Sequence, residues 1–145
     1  QYSALSKEYH YYILNRTDPM AIGRQYHWHI RQPLDLDCMQ QCCKKLVGTF
    51  DFKSFENTGS PRTSTVREIL TAGFIRPEKG ILRFEISASG FLKYMVRNIV
   101  GTLVMAGKGQ IDVSDMEAIL ISRDRKNAGP TAPPHGLFLV QVNYS

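Results

Sequence analysis

A chain of 145 residues, 43% of them hydrophobic, is long enough to bury one modest core and too short for several. Eighteen Lys and Arg against thirteen Asp and Glu leave a net charge of +5 and a pI near 9.2, which fits an anionic partner or simply a basic surface. No apolar run reaches the length of a membrane span, no signal peptide is visible, and Cys38, Cys42 and Cys43 have neither disulfide-framework nor zinc-site spacing; they read as reduced cytosolic thiols, with Cys43 facing the core.

In chain order, residues 7–15 alternate Tyr9, Tyr11 and Ile13 with Glu8, His10 and Tyr12, the period of a strand. Residues 16–19 read as the turn that ends it, because Asp18 precedes Pro19. Residues 19–30 are ambiguous, with a short extended piece where Tyr26, Trp28 and Ile30 alternate with His27 and His29. Leu36, Met39, Cys43 and Leu46 recur at helical spacing, with Asp35 placed to cap the start and Gly48 to end the helix. Residues 49–61 form a turn-rich loop. Two strands follow, 65–76 and 80–89, joined by the Pro77-Glu78-Lys79-Gly80 connection.

The run 90–109, GFLKYMVRNIVGTLVMAGKG, carries the most information. As a helix it aligns Leu92, Met95, Val96, Ile99 and Leu103 as one apolar ridge. Lys93, Arg97 and Gly101 then fall four apart on another face, where a residue without a side chain lets a backbone, a nucleic acid or a carboxylate come close. The same spacing also suits a plain amphipathic helix with two solvated cations. A shorter helix begins after Ser114, with Asp115 and Glu117 in its first turn and Met116, Ile119 and Leu120 inward. A polar, proline-bearing loop spans 123–134, and 137–144 is a last strand. Helices grouped with an antiparallel sheet, without strict alternation of strand and helix, predict an α+β fold: an antiparallel sheet with helices packed on one face.

Five stretches in order resemble one family. FLKYMVRNIVG (91–101) and TAPPHGLFLV (131–140) are similar to the Phe-x-x-x-Met-Val-Arg-Asn-Ile-Val-Gly helix and Thr-Ala-x-x-x-Gly-Leu-x-Leu-Val strand of tRNA pseudouridine synthases of the TruA type. YSALSKEYHY (2–11), FDFKSF (50–55) and TVREI (65–69) resemble that family's Arg-Phe-x-Ala-x-x-Lys-x-Tyr-x-Tyr, Asp-Phe-x-Ser-Phe and Thr-Val-Arg-x-Ile segments. The family's nucleophile is an aspartate in an Arg-Thr-Asp-x-Gly-Val-His loop upstream of all these segments, and this sequence has no such loop. Arg16-Thr17-Asp18 continues as Pro19-Met20-Ala21 and follows the tyrosine segment, so Asp18 does not match. Together with the missing initiator Met, this leads us to expect residues 1–145 to be the C-terminal half of such an enzyme, inactive without its other half.

The resemblance implies a chemistry. Uridine isomerisation breaks the N-glycosidic bond, turns the uracil and rejoins it through carbon, and the base must leave its stack to reach the pocket. An ionised carboxylate has to act at the sugar, and an arginine beside it lowers its pKa and fixes its orientation. Arg97 matches the family arginine and is expected to pair with the absent aspartate. Tyr9 matches the active-site tyrosine, able to stack on the flipped base or take a proton; Tyr11, on the same strand face, is the substitute candidate. Leu137 matches a leucine that packs on the base, though it fits ordinary core equally well.

Phe91 is a possible stacking surface, and Lys7, Arg62, Arg67, Lys93 and Lys108 are candidate phosphate contacts, each of which could equally be a solvated cation. Glu8 and His10 flank Tyr9 where the family is often more basic. His10, His27, His29 and His135 lack supporting carboxylate spacing, and no residue pattern calls for a metal or organic cofactor. The family implies tRNA, in its anticodon stem-loop region, as substrate, a homodimer, and a cytoplasmic location. A non-catalytic RNA-binding or dimerisation module with the same fold is the alternative.

Overall fold

A computed structural model describes residues 4–18, 24–57 and 64–144. Arg62 and the segment after Asp18 lie outside the described residues. Among the described residues nine main elements follow one another: β1 (Ala4–Asn15), β2 (Trp28–Ile30), α1 (Leu36–Leu46), β3 (Gly48–Asp51), β4 (Val66–Glu78), β5 (Ile81–Ala88), α2 (Met95–Gly107), α3 (Val113–Ser122) and β6 (Leu137–Tyr144). The sheet runs β2-β1-β5-β4-β3, with β6 on the same side of β1 as β2 but pairing further toward its start. Every pairing is antiparallel except the three-residue match of β1 with β2, so the expected α+β architecture holds with one short parallel pair.

β1 owes its length to the alternation read from the sequence. Tyr11 and Ile13 point into the core with no exposed surface, while His10 and Tyr12 take the opposite face. β4 and β5 form the expected hairpin, and Gly80, at φ +82, makes the turn that other residues rarely adopt. Pro77 sits where the register slips between Ile75 and Glu78, since it has no amide to give the ladder. Gly48, expected to end the helix, and residues 49–51, expected as loop, form strand β3, paired to β4 from Gly48↔Ile69 to Asp51↔Val66.

α1 starts as predicted: the Asp35 side chain accepts the Cys38 amide at 3.0 Å. It buries Met39, Cys42, Cys43 and Leu46, so two thiols rather than one enter the core. Burial pushes both thiols up, Cys42 to about 12. α3 begins with a capping box in which Asp112 accepts the Asp115 amide and Asp115 accepts that of Asp112. It turns Met116, Ile119 and Leu120 inward as expected.

The helix expected from residue 90 begins at Met95. Tyr94 precedes it at φ +61, a left-handed conformation uncommon for a residue with a side chain. Gly90 to Lys93 therefore approach as extended chain and turns, and Lys93 does not share a helical face with Arg97. The ridge survives the shortening: Leu92, Met95, Val96, Ile99 and Leu103 are all buried. Gly101 admits a backbone as expected, that of its own chain: a Cβ there would overlap the Pro130 carbonyl oxygen and lie 2.8 Å from its carbon.

Candidate active site

Three separate segments meet on the core side of the sheet. β1 brings Tyr9, the stretch ahead of α2 and its first turn bring Phe91, Tyr94 and Arg97, and the start of β6 brings Pro134 and Leu137. With Leu92, Met95 and Val96 they line a shallow cavity of about 220 Å³. Of the residues singled out in the sequence, Tyr9, Arg97, Leu137 and Phe91 are brought together here. Tyr9 stands edge-on to Phe91, ring centroids 5.1 Å apart, an arrangement that fixes its ring while leaving it half-buried.

Arg97 is held from two sides. Its Nε donates to the Ala132 carbonyl at 2.8 Å, the Ala132 amide donates back to the Arg97 carbonyl at 3.0 Å, and the guanidinium carbon lies 4.8 Å over the Tyr94 ring. Among the described residues, its two Nη groups have no protein acceptor and no carboxylate pairs with it. A guanidinium aimed by one nitrogen and a ring, with its fork left over, is arranged to take an anion at the cavity.

The loop that supplies Ala132 is itself secured by Asn98, the residue after Arg97. Asn98 is fully buried and uses its whole amide: Nδ2 donates to the Phe55 carbonyl and to Asn57 Oδ1, while Oδ1 accepts from Thr131 Oγ1 and Arg125 Nη2. Thr102 Oγ1 donates to the Asn98 carbonyl and accepts the Gly129 amide, adding a second tie to the loop. No pattern in the sequence flags Arg125: it ties its own loop together through Gly129 and Thr131, and the buried Asn98 it also reaches lies on α2.

The other expected residues sit elsewhere. Tyr11 is fully buried and donates its hydroxyl to the Pro133 carbonyl at 2.6 Å, and its ring packs where a Cβ on Gly136 would collide. It therefore braces the chain leading into Leu137 instead of lining the cavity. Burial raises its hydroxyl above the ordinary tyrosine value, and the Arg97 charge offsets only part of that. Lys93 is exposed over the outer side of Tyr94, its ammonium 5.5 Å from the ring centroid. Arg67 folds back on the Ser64 and Val66 carbonyls beside Gly90. Lys7 is half-buried on β1 opposite Ala88, and Lys108 is exposed at the end of α2; neither lines the cavity. Asp18 is exposed three residues past the end of β1, away from Tyr9 and Arg97. Tyr94 and Pro134 are cavity residues the sequence did not reveal, Tyr94 because its left-handed turn interrupts a perfect helical pattern.

These positions can be set against known proteins. A family profile described as tRNA pseudouridine synthase matches residues 42–145. The chain belongs to that family. It is 44% identical over 142 residues to a tRNA pseudouridine synthase A of Bdellovibrio bacteriovorus, covering 98% of this chain and 54% of that protein. A tRNA pseudouridine synthase A of a Thermoanaerobacter strain is 44% identical over 144 residues, covering 99% of this chain and 59% of the relative. A third, from Clostridium botulinum, is 43% identical with the same coverage. The chain thus spans little more than half the length of the curated relatives it matches.

Proposed function

We propose that this chain is the C-terminal part of a TruA-type tRNA pseudouridine synthase, and that its cavity forms one wall of the pocket that receives the target uridine. The observation carrying this reading is the convergence of Tyr9, Arg97 and Leu137 from three distant stretches, with the Arg97 fork left over.

In this reading a flipped uracil lies between the Tyr9 ring and Leu137, which exclude water from the base. The Arg97 fork holds the catalytic aspartate of the upstream half, keeps it ionised, and aims one oxygen at the sugar. That carboxylate assists cleavage of the glycosidic bond, the freed uracil turns within the aromatic wall, and its C5 bonds to the sugar. The C5 proton must then leave, in this reading by way of the Tyr9 hydroxyl, and a proton is taken up at N1, freed when the glycosidic bond broke, so the product is an isomer of uridine. No net oxidation occurs, so the reaction needs no redox cofactor. Lys7, Lys93 and Arg67 contribute basic surface for the phosphates of the anticodon stem-loop region. The complete protein works as a homodimer, and the free thiols suit a reducing cytoplasm.

The test is pseudouridine formation in unmodified tRNA by this chain alone and by the full-length protein, with the modified position mapped. Conversion only by the full-length protein, in the anticodon stem-loop, is the expected result. Conversion by the chain alone would remove the need for an upstream aspartate and return attention to Asp18. Tight RNA binding with no conversion by either form would favour a non-catalytic RNA-binding module.

A further inference from the structure

On the sheet face opposite the core, β1 and β5 bring three metal-ligating side chains together. Glu8 and His10 are two residues apart and project to the same side, and Glu85 is directly across from His10 in the ladder. His10 Nε2 lies 2.8 Å from Glu8 Oε2 and 3.6 Å from Glu85 Oε2, and all three ligand atoms fall within 4.8 Å of one another. A tetrahedral zinc ion with bonds of about 2.0–2.1 Å holds its ligands roughly 3.3 Å apart, so the two short separations bracket a coordination edge. We propose that Glu8, His10 and Glu85 form a binding site for a divalent first-row transition metal, with zinc as the best-fitting ion.

The donor set argues for that class of ion. One imidazole and two carboxylates suit zinc, manganese or iron, whereas magnesium and calcium prefer oxygen alone. The site is neither sealed nor fully open: the His10 side chain is 13% exposed, and those of Glu8 and Glu85 are 33% and 32%. A fourth position facing solvent is thereby left for water or an outside ligand.

Among the described residues two contacts compete with a cation: the 2.8 Å hydrogen bond between His10 Nε2 and Glu8, whose proton a metal must displace, and Arg83. The Arg83 Nε and Nη2 both donate to Glu85 Oε2, at 2.8 and 2.7 Å, and its guanidinium carbon lies 5.9 Å from the Tyr12 ring centroid. Both bonds fall on Oε2, the oxygen that also faces His10, so a metal ligated by Glu85 must either displace Arg83 from that oxygen or take Oε1 after the carboxylate turns. Two carboxylates and one guanidinium leave a local charge of about −1 with His10 neutral, which still favours a dication. The sequence concealed this site because Glu85 lies far along the chain from Glu8 and His10.

A bound ion would pin β1 to β5 on either side of Tyr9, whose own side chain faces the opposite way. The pairing of β1 with β6 slips at this place, between Glu8 and Tyr9, so the clamp would act where the ladder is irregular. The proposal does not depend on the assigned reaction, because it is read by binding alone.

The experiment titrates the chain with Zn²⁺ by calorimetry and with Co²⁺ by visible absorption. One ion per chain is expected, with the visible bands of tetrahedral cobalt and no sulfur-to-cobalt charge-transfer band, which separates this site from the three cysteines. His10→Ala and, independently, Glu8→Gln should each weaken binding at least tenfold while the far-ultraviolet circular dichroism is unchanged. His29→Ala, on the neighbouring β2, should leave it intact. Absence of stoichiometric binding, binding undiminished in both site variants, or a thiolate band would each overturn the proposal.

Discussion

Replacing Asn98 by alanine is expected to destabilise the chain far more than the loss of one amide suggests. The substitution removes four hydrogen bonds in a site with no solvent exposure: to the Phe55 carbonyl at 2.8 Å, Asn57 at 3.0 Å, Thr131 at 2.6 Å and Arg125 at 3.0 Å. Each neutral bond contributes about 1 kcal/mol net and the one from the charged Arg125 about 1.5–3 kcal/mol. Burial already lowers the Arg125 pKa, so losing an acceptor leaves that cation poorly solvated. The gain in helix propensity from alanine returns about 0.6 kcal/mol, and water can reach the half-buried Asn57 and Arg125. The net loss is then about 3–5 kcal/mol, which for a chain of this size lowers Tm by about 10–16 °C. Urea unfolding followed by circular dichroism reads it directly, with the slope unchanged if only stability has moved. Asn98→Asp keeps the two acceptor contacts but sets a carboxylate oxygen against the Phe55 carbonyl and Asn57 Oδ1, so it should destabilise as well. A loss below about 1 kcal/mol for Asn98→Ala would refute the claim that this amide is the hub of the Arg97 loop.

Gly101→Ala should also destabilise, by about 1–3 kcal/mol from overpacking against Pro130, despite alanine being the better helix former; stabilisation would mean that the loop yields freely. Tyr11→Phe should lose about 1 kcal/mol with the bond to the Pro133 carbonyl, measured by the same unfolding curves. In the native chain at mildly alkaline pH, Cys38 should react with a thiol reagent while Cys42 and Cys43 do so only after denaturant is added, as mass spectrometry of the labelled peptides would show. The buried thiols hold their protons more tightly when folded, Cys42 up to about 12 against an ordinary 9.0. Their contribution is therefore complete below pH 9.0 and lost as pH rises toward 12, because the unfolded chain ionises first. Thermal melts across that range should show a decline that Cys42→Ala with Cys43→Ala flattens.

Much of the fold could be read from periodicity. The alternation in 7–15 and the apolar ridge from Leu92 to Leu103 depend on local spacing, and burial follows them closely. β3 escaped notice because its four residues carry no clean alternation and owe their extended form to pairing with β4. The start of α2 was misplaced for the opposite reason: the pattern through Leu92 is good helix, yet Tyr94 breaks it at a left-handed turn that aims its ring at Arg97. Tyr9 and Tyr11 could not be told apart by strand face alone. What separates them is tertiary, the Pro133 carbonyl above Tyr11 and the open cavity beside Tyr9. The Glu8, His10 and Glu85 cluster and the contact of Arg125 with Asn98 are tertiary in the same way, each assembled from separate elements.

Pseudouridine formation by the full-length protein, wild type against Arg97→Ala, tests the central claim most directly. The account predicts that the variant keeps the wild-type circular dichroism and tRNA binding within a few fold, yet forms pseudouridine at least a thousandfold more slowly, as expected when a charge that orients a reacting carboxylate is removed. A variant that folds, binds tRNA and isomerises at a rate near wild type would contradict it, and would leave the unpaired Arg97 fork without the role assigned to it here.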